Sequence, residues 1–313
     1  MAKPIYAGSY PNRGFGRWKN VFIIIVLIQI AVVVVLMRKN DKADSSEEPA
    51  VQSNEPAAAL PFEPAPSAPI PPAVASPETA ALLSDARAAL DAGQLIEAKR
   101  ILDRAVESTG DAEAVRMLGD VNIQLLKSPL MMPGKEYYAI QGGDYLQKIA
   151  GMYNTTVPLI QAMNGLETDV IRRGARLLVY RGDFSIRVSK SRNTLDLMAG
   201  DRLFKRYPVG TGKFGKTPAI EFTIVDKIVE PPWTRPADNK QIEYGDPENV
   251  LGTRWMKIVS DDHPEITGFG IHGTWERDSI GEQSSAGCIR MLNEDVEELF
   301  DLVPRKTPVV ISE

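Results

Sequence analysis

The sequence predicts a multidomain chain: a single transmembrane helix, a proline-rich tether, a short α-helical hairpin region, a small β-α-α-β module and a β-rich C-terminal domain. Three observations predict it. Residues 21–37, VFIIIVLIQIAVVVVLM, are an apolar run broken only by Gln29. Nine prolines crowd residues 43–77. Beyond them the apolar spacing changes from helical to alternating, and at 313 residues the chain exceeds the usual size of one domain.

The apolar run of 17 residues spans about 26 Å as a helix, enough to cross a bilayer. A cleaved signal peptide is the competing reading, but the run exceeds a typical signal core and RKND follows it in place of a small-residue cleavage site. Lys3, Arg13, Arg17 and Lys19 precede the span, whereas Arg38, Lys39 and Lys42 follow it, so the basic residues favour a cytoplasmic N-terminus by a narrow margin. The expected division is a tail at 1–19, an anchor at 20–37 and a Pro/Ala-rich linker at 38–77, too poor in large apolar residues to fold. In polyproline form such a linker reaches on the order of 100 Å. Everything after it is then single-pass anchored outside the cytoplasm, in periplasm or cell wall.

Residues 78–128 carry Leu83, Ala86, Leu90, Ile101, Leu102 and Ala105 at helical spacing, broken at Gly93 and Gly110. The region resembles a tetratricopeptide-like helix pair, which leaves two readings open: a helical spacer, or a site for a protein partner. Composition bears on partners too. With 36 basic against 41 acidic residues the net charge is −5, so no overall basic field exists for nucleic acid. No metal and no cofactor is expected.

Residues 136–181 read strand, helix, helix, strand, with a turn at Gly143-Asp144 and a helical stripe at Leu146, Ile149 and Ala150. Together with Asn164, Gly174 and Leu177 these residues resemble a LysM domain, which implies binding of peptidoglycan glycan along Gly143, Asp144, Tyr145 and Leu146 and the loop after Asn164. Tyr145 departs from the Thr or Ser usual in that family.

GTGKFGKT, residues 210–217, fits the phosphate-binding pattern G-x-x-x-x-G-K-[ST]. Its context does not. Thr217 precedes Pro218, which disfavours the helix such a loop must open, and EFTIVDKIV then alternates as a strand, with Phe222, Ile224 and Ile228 on one face. The segment is therefore expected to be a Gly-rich hairpin loop that binds no nucleotide.

The chain has one cysteine, Cys288, and two histidines, His263 and His272. His272 stands at the end of the strand GFGIHG, and 16 residues later the small-residue turn Ser284-Ser285-Ala286-Gly287 leads to Cys288. A thiol attacks as thiolate and needs a base or a positive field beside it. His263 lies in a charged pre-proline loop, so elimination leaves His272 as that base, and pairing with it should hold the Cys288 thiol below its ordinary value near 8.5. Gly287 lets a tetrahedral oxyanion approach backbone N–H groups.

H-G-T, then S-x-G-C-I-R-M, with LFKRYPVGTG, KTPAIEFTI and PPWTRP upstream, resembles the L,D-transpeptidase catalytic domain of the YkuD type, placed at 183–313. The resemblance implies a β-rich, sandwich-like fold and a peptidoglycan 3→3 cross-linking reaction through a thioester on Cys288. His272 would be the proton carrier, oriented by the Gly273 carbonyl, with Gly287 and Ser285 on the oxyanion side and Arg290 for a substrate carboxylate. A salt bridge from Arg290 to the helix near 295–303 is the plainer alternative. Ala286 stands where many members have a second histidine, and Ile220 where glycine is usual. Trp233, Trp255 and Trp275 could line the cleft or pack. Two rival functions stay open: a carboxypeptidase or hydrolase with the same Cys-His pair, and a non-catalytic peptidoglycan-binding tether.

Overall fold

The computed structural model describes residues 76–313. The expected tail, anchor and nearly all of the linker lie outside them, and among the described residues no helix is long and apolar enough to cross a membrane.

Three helices come first: α1 (Pro77–Asp91), α2 (Leu95–Thr109) and α3 (Ala112–Lys127). Their ends follow from local chemistry. Ser76 accepts from the Thr79 N–H at 3.2 Å with Pro77 in the first turn, Gly110 closes α2 at φ 62°, and Asp111 accepts from the N–H groups of Glu113 and Ala114 at 2.9 Å each. The spacer reading is corrected here. Asn122 donates to the Phe204 carbonyl at 2.8 Å, and Ile123 and Leu126 join the apolar core of the C-terminal domain. The helices are therefore docked on that domain, covering a strand edge that would otherwise present unpaired backbone groups.

The module that follows pairs β1 (Lys135–Ala139) antiparallel with β2 (Arg176–Tyr180), and packs α4 (Leu146–Met152) and α5 (Val157–Asn164) between them in sequence. Leu146, Ile149, Ile160, Leu177 and Val179 make its core. Leu159 and Met163 instead face the C-terminal domain's core.

That domain contributes β3 (Phe184–Ser189), β4 (Thr194–Ala199), β5 (Arg202–Pro208), β7 (Glu221–Val229), β10 (Arg254–Val259), β11 (Gly270–Thr274), β13 (Ile289–Leu292) and β14 (Pro308–Ser312) to one sheet of eight strands, with the short β8 (Trp233–Thr234) and β9 (Gln241–Ile242) paired apart from it. Their order in the sheet is β13-β11-β10-β7-β14-β3-β4-β5. The expected β-rich fold is present, but the ladder is continuous where a sandwich implies two separate sheets. The C-terminal β14 is the reason, since it pairs parallel with β3 and antiparallel with β7 and so joins the two halves. Helix α6 (Asn293–Leu302) buries Val296, Leu299 and Leu302 against it.

GTGKFGKT is not a hairpin loop. It links β5 and β7, which are not neighbours, and its own β6 (Thr211–Gly212) pairs parallel with β12 (Gln283–Ser285). No helix starts at Gly215-Lys216-Thr217, and β7 follows. Ile228 is also corrected. The register of β7 on β10 shifts at Lys257/Ile258, which turns Ile228 off the face of Phe222 and Ile224 and leaves it 37% exposed.

Candidate active site

Three neighbouring strands set the site. Trp255 on β10 lies opposite His272 on β11, and His272 lies beside Arg290 on β13. The Trp255 and His272 rings stack at 5.7 Å with 29° between planes. Cys288 sits half-buried just before β13. A cavity of about 510 Å³ brings His272, Cys288 and Arg290 together with Trp233, Trp255 and Leu251. His263 is elsewhere, exposed and 3.4 Å from Glu265. Trp275 is 56% exposed and lines a neighbouring cavity.

His272 is buried, and its Nδ1 lies 2.6 Å from the Gly273 carbonyl. That acceptor places the proton on Nδ1 and leaves the lone pair on Nε2. Gly273 is required because a Cβ there would collide with Asn293 Oδ1, the atom that also accepts from the Thr253 N–H at 3.1 Å. Burial pushes the imidazole down to about 4, with the Gly273 bond opposing and the Arg290 charge adding to the shift. Burial likewise raises the Cys288 thiol above its ordinary value, against smaller lowering effects from the Gly270 N–H and Arg290. The expectation of a depressed thiol is thus corrected. His272 is buried and Cys288 half-buried, and desolvation favours the neutral form of each. No hydrogen bond joins them among the described residues, and the Cys288 Sγ contacts the Gly268 carbonyl at 3.7 Å.

The turn before Cys288 is closed on itself. Ser285, 1% exposed, accepts from the Gly287 N–H at 3.0 Å and donates to the Cys288 carbonyl at 2.7 Å. Neither Ser285 nor the Gly287 N–H is therefore available as an oxyanion donor; a buried polar turn satisfies itself first. Gly287 holds φ 144°, and a Cβ on it would sit 2.8 Å from the Phe269 ring. The phosphate-loop lookalike is the turn's buttress. Buried Thr217 accepts from the Gly212 N–H at 2.8 Å and donates to the Gly287 carbonyl at 2.7 Å.

Arg290 is not bridged to α6. Its Nη1 meets Glu276 Oε2 at 3.0 Å, and its buried Nε has no partner among the described residues. Glu276 and Thr217 escaped the sequence reading. The one signal for Thr217 was its place in a loop that failed the phosphate-binding test.

On the small module the four expected glycan residues divide. Gly143, at φ 82°, and Tyr145, 59% exposed, are accessible. Leu146 is 2% exposed core. The Asp144 side chain, 1% exposed, accepts from Tyr138 Oη at 2.6 Å, the Gln141 N–H at 2.8 Å and Lys148 Nζ at 2.9 Å. Those bonds, that to Tyr138 foremost, hold its carboxyl down at about 2. Asp144 and Leu146 build the turn and cannot both build it and face a ligand.

Two family models match: the LysM domain over residues 138–179 and the YkuD-type L,D-transpeptidase catalytic domain over 183–311. The Bacillus licheniformis YkuD protein, designated an L,D-transpeptidase, is 36% identical over 183 residues, covering 56% of this chain and 98% of the relative. The Bacillus subtilis YqjB protein of the same designation is 37% identical over 135 residues, 42% of this chain and 73% of that protein. A solved L,D-transpeptidase from Mycobacterium smegmatis is similar at 18% identity and TM-score 0.35, over 45% of this chain and 64% of that one. With a strand-borne histidine, a buttressed cysteine turn and nearly the full length of a relative matched, the chain belongs to the YkuD-type L,D-transpeptidase family.

Proposed function

We propose that this chain is a membrane-anchored peptidoglycan L,D-transpeptidase acting through a thioester on Cys288. The observation that carries the reading is the shared cavity, in which the chain's sole thiol and its one buried imidazole stand beside a cation and the Trp255 indole that stacks on that imidazole. His272 Nε2 takes the Cys288 proton as Sγ attacks the carbonyl linking the diamino acid to the terminal D-residue of a tetrapeptide stem. The S–C bond forms and the C–N bond breaks. His272 returns the proton to the departing amine, and D-alanine leaves. An amine of a neighbouring stem then displaces the thiol, giving a 3→3 cross-link.

Neutral partners suit this route. With the imidazole down at about 4 and the thiol raised, the proton moves during attack and not before it. The Gly273 carbonyl fixes the tautomer. The Cys288 N–H, which is not among the bonded donors of the turn, is the oxyanion donor in this reading. Arg290 receives a carboxylate of the stem. The LysM module holds glycan through Gly143 and Tyr145, and its contact with the catalytic core fixes where that glycan runs relative to Cys288.

The anchor at 20–37, the linker at 38–77 and a location outside the cytoplasm belong to the same proposal and rest on the sequence alone. Muropeptide analysis after incubation with tetrapeptide-bearing peptidoglycan tests the reaction. Tetra-tri 3→3 dimers are the expected product; tripeptides without dimers would make the chain a carboxypeptidase.

A further inference from the structure

Arg290 is the wall between two cavities. On one side is the 510 Å³ space holding Cys288 and His272. On the other is a space of about 710 Å³ lined by Trp275, Glu276, Asp278, Glu282 and Ser284. The guanidinium is 16% exposed and only partly engaged: Nη1 is held by Glu276, and buried Nε has no partner among the described residues. Glu276 is unlike the other groups around it. Its backbone is pinned, with its N–H donating to Thr274 Oγ1 at 3.1 Å and its carbonyl accepting from Ser279 Oγ at 2.6 Å. Its carboxylate, by contrast, is 68% exposed and free to swing away.

We propose that Glu276 is a placeholder, whose carboxylate occupies the Arg290 fork until the terminal carboxylate of a stem peptide displaces it. The proposal rests on the reading that Arg290 receives a substrate carboxylate. An incoming carboxylate exchanges one anion for another, so the charge beside His272 and Cys288 is unchanged and Glu276 moves into water at little cost. A neutral or cationic peptide end has nothing to exchange; breaking the pair would leave the half-buried guanidinium uncompensated. The fork therefore admits a free carboxylate and refuses an amidated end. Direction follows from charge as well. In the far cavity Arg277 is already paired with Glu294 at 2.8 Å, which leaves Asp278 and Glu282 to repel an anion, so the carboxylate reaches Arg290 from the Cys288 side.

Occupancy of the fork lowers apparent affinity by the fraction of time it is blocked. For a pair with one exposed member, removal should tighten carboxylate binding about two- to fivefold. The test uses the full chain carrying Cys288→Ala, so that nothing turns over. Calorimetry measures a tetrapeptide stem with a free terminal carboxylate against the same peptide as its C-terminal amide. Glu276→Gln, and Glu276→Ala to exclude residual pairing by the amide, should each tighten the carboxylate form by that factor and leave the amide form unchanged. Unchanged or weaker carboxylate binding, equal gains for both peptides, or binding of neither peptide by any variant would overturn the placeholder. Mass spectrometry of the Cys288-bearing chain separates the two ideas: an adduct with unaltered affinities sinks only the placeholder, and tightened affinities without an adduct sink only the transpeptidase reading.

Discussion

Thr217→Val is nearly isosteric and removes a single hydroxyl, which in the structure ties two backbone groups of the catalytic turn. Valine leaves the Gly212 N–H, otherwise bonded at 2.8 Å, and the Gly287 carbonyl, otherwise bonded at 2.7 Å, without partners in a buried setting. Each buried group so orphaned costs about 1–3 kcal/mol, so the pair should cost roughly 2–6 kcal/mol. At this chain size that lowers Tm by on the order of 5–15 °C. The Gly287 carbonyl belongs to the peptide that carries the Cys288 N–H, so its release should also slow acylation by about ten- to a hundredfold. Thr217→Ser keeps both bonds and loses only a methyl group. Differential scanning calorimetry and the rate of Cys288 acylation, read on all three proteins, decide the matter. Valine within about 0.5 kcal/mol of the parent, or serine as damaging as valine, would refute the buttress.

Three further outcomes follow from the same geometry. Because the folded imidazole of His272 titrates at about 4 and an unfolded one near 6.5, the unfolded chain binds the extra proton between those values; stability should be unaffected above 6.5 and fall by roughly 3 kcal/mol as pH drops to 4. Asp295, raised to about 6 by burial, works in the opposite sense in that window, so urea midpoints of the parent are compared with those of His272→Gln, in which the His272 share alone disappears. Alkylation of Cys288 against pH should give a value above the ordinary thiol value, and Arg290→Gln should raise it further; a parent value between about 3.5 and 7.5 would mean a preformed thiolate-imidazolium pair. Tyr145→Ala should weaken co-sedimentation with peptidoglycan at unchanged Tm, whereas Asp144→Ala should lower Tm; the reverse pattern would return Asp144 to the glycan face.

What could be read from the sequence was local or unique. One thiol and two imidazoles left little choice for the reacting pair, and the orienting role of the Gly273 carbonyl came from the family resemblance. The helix ends were written in Ser76, Gly110 and Asp111, and the Thr217-Pro218 step ruled out a phosphate loop. Non-local pairings were not legible. Nothing in PVVIS says that the last strand lies parallel to β3, and nothing in the periodicity of α3 separates Leu118, which packs within the helices, from Ile123 and Leu126, which reach the catalytic core. Polar residues misled for one shared reason. Asp144 and Ser285 stand where a ligand could be met, yet burial obliges each to spend its hydrogen bonds inside the protein, Ser285 on its own turn and Asp144 on the Gln141 N–H, Tyr138 and Lys148. Their sequence neighbourhoods are the same in either case, and only exposure tells them apart.

In the proposed reaction Cys288 attacks a peptide carbonyl with His272 as its base. Intact-protein mass spectrometry of the full chain, quenched in acid during incubation with a soluble tetrapeptide stem, measures that step directly. The expected result is an adduct of the stem less its terminal D-alanine, mapping to Cys288, absent in Cys288→Ala and formed about 10² to 10⁴ times more slowly in His272→Ala. No adduct on a folded parent, or an adduct that forms as fast without His272, would contradict it.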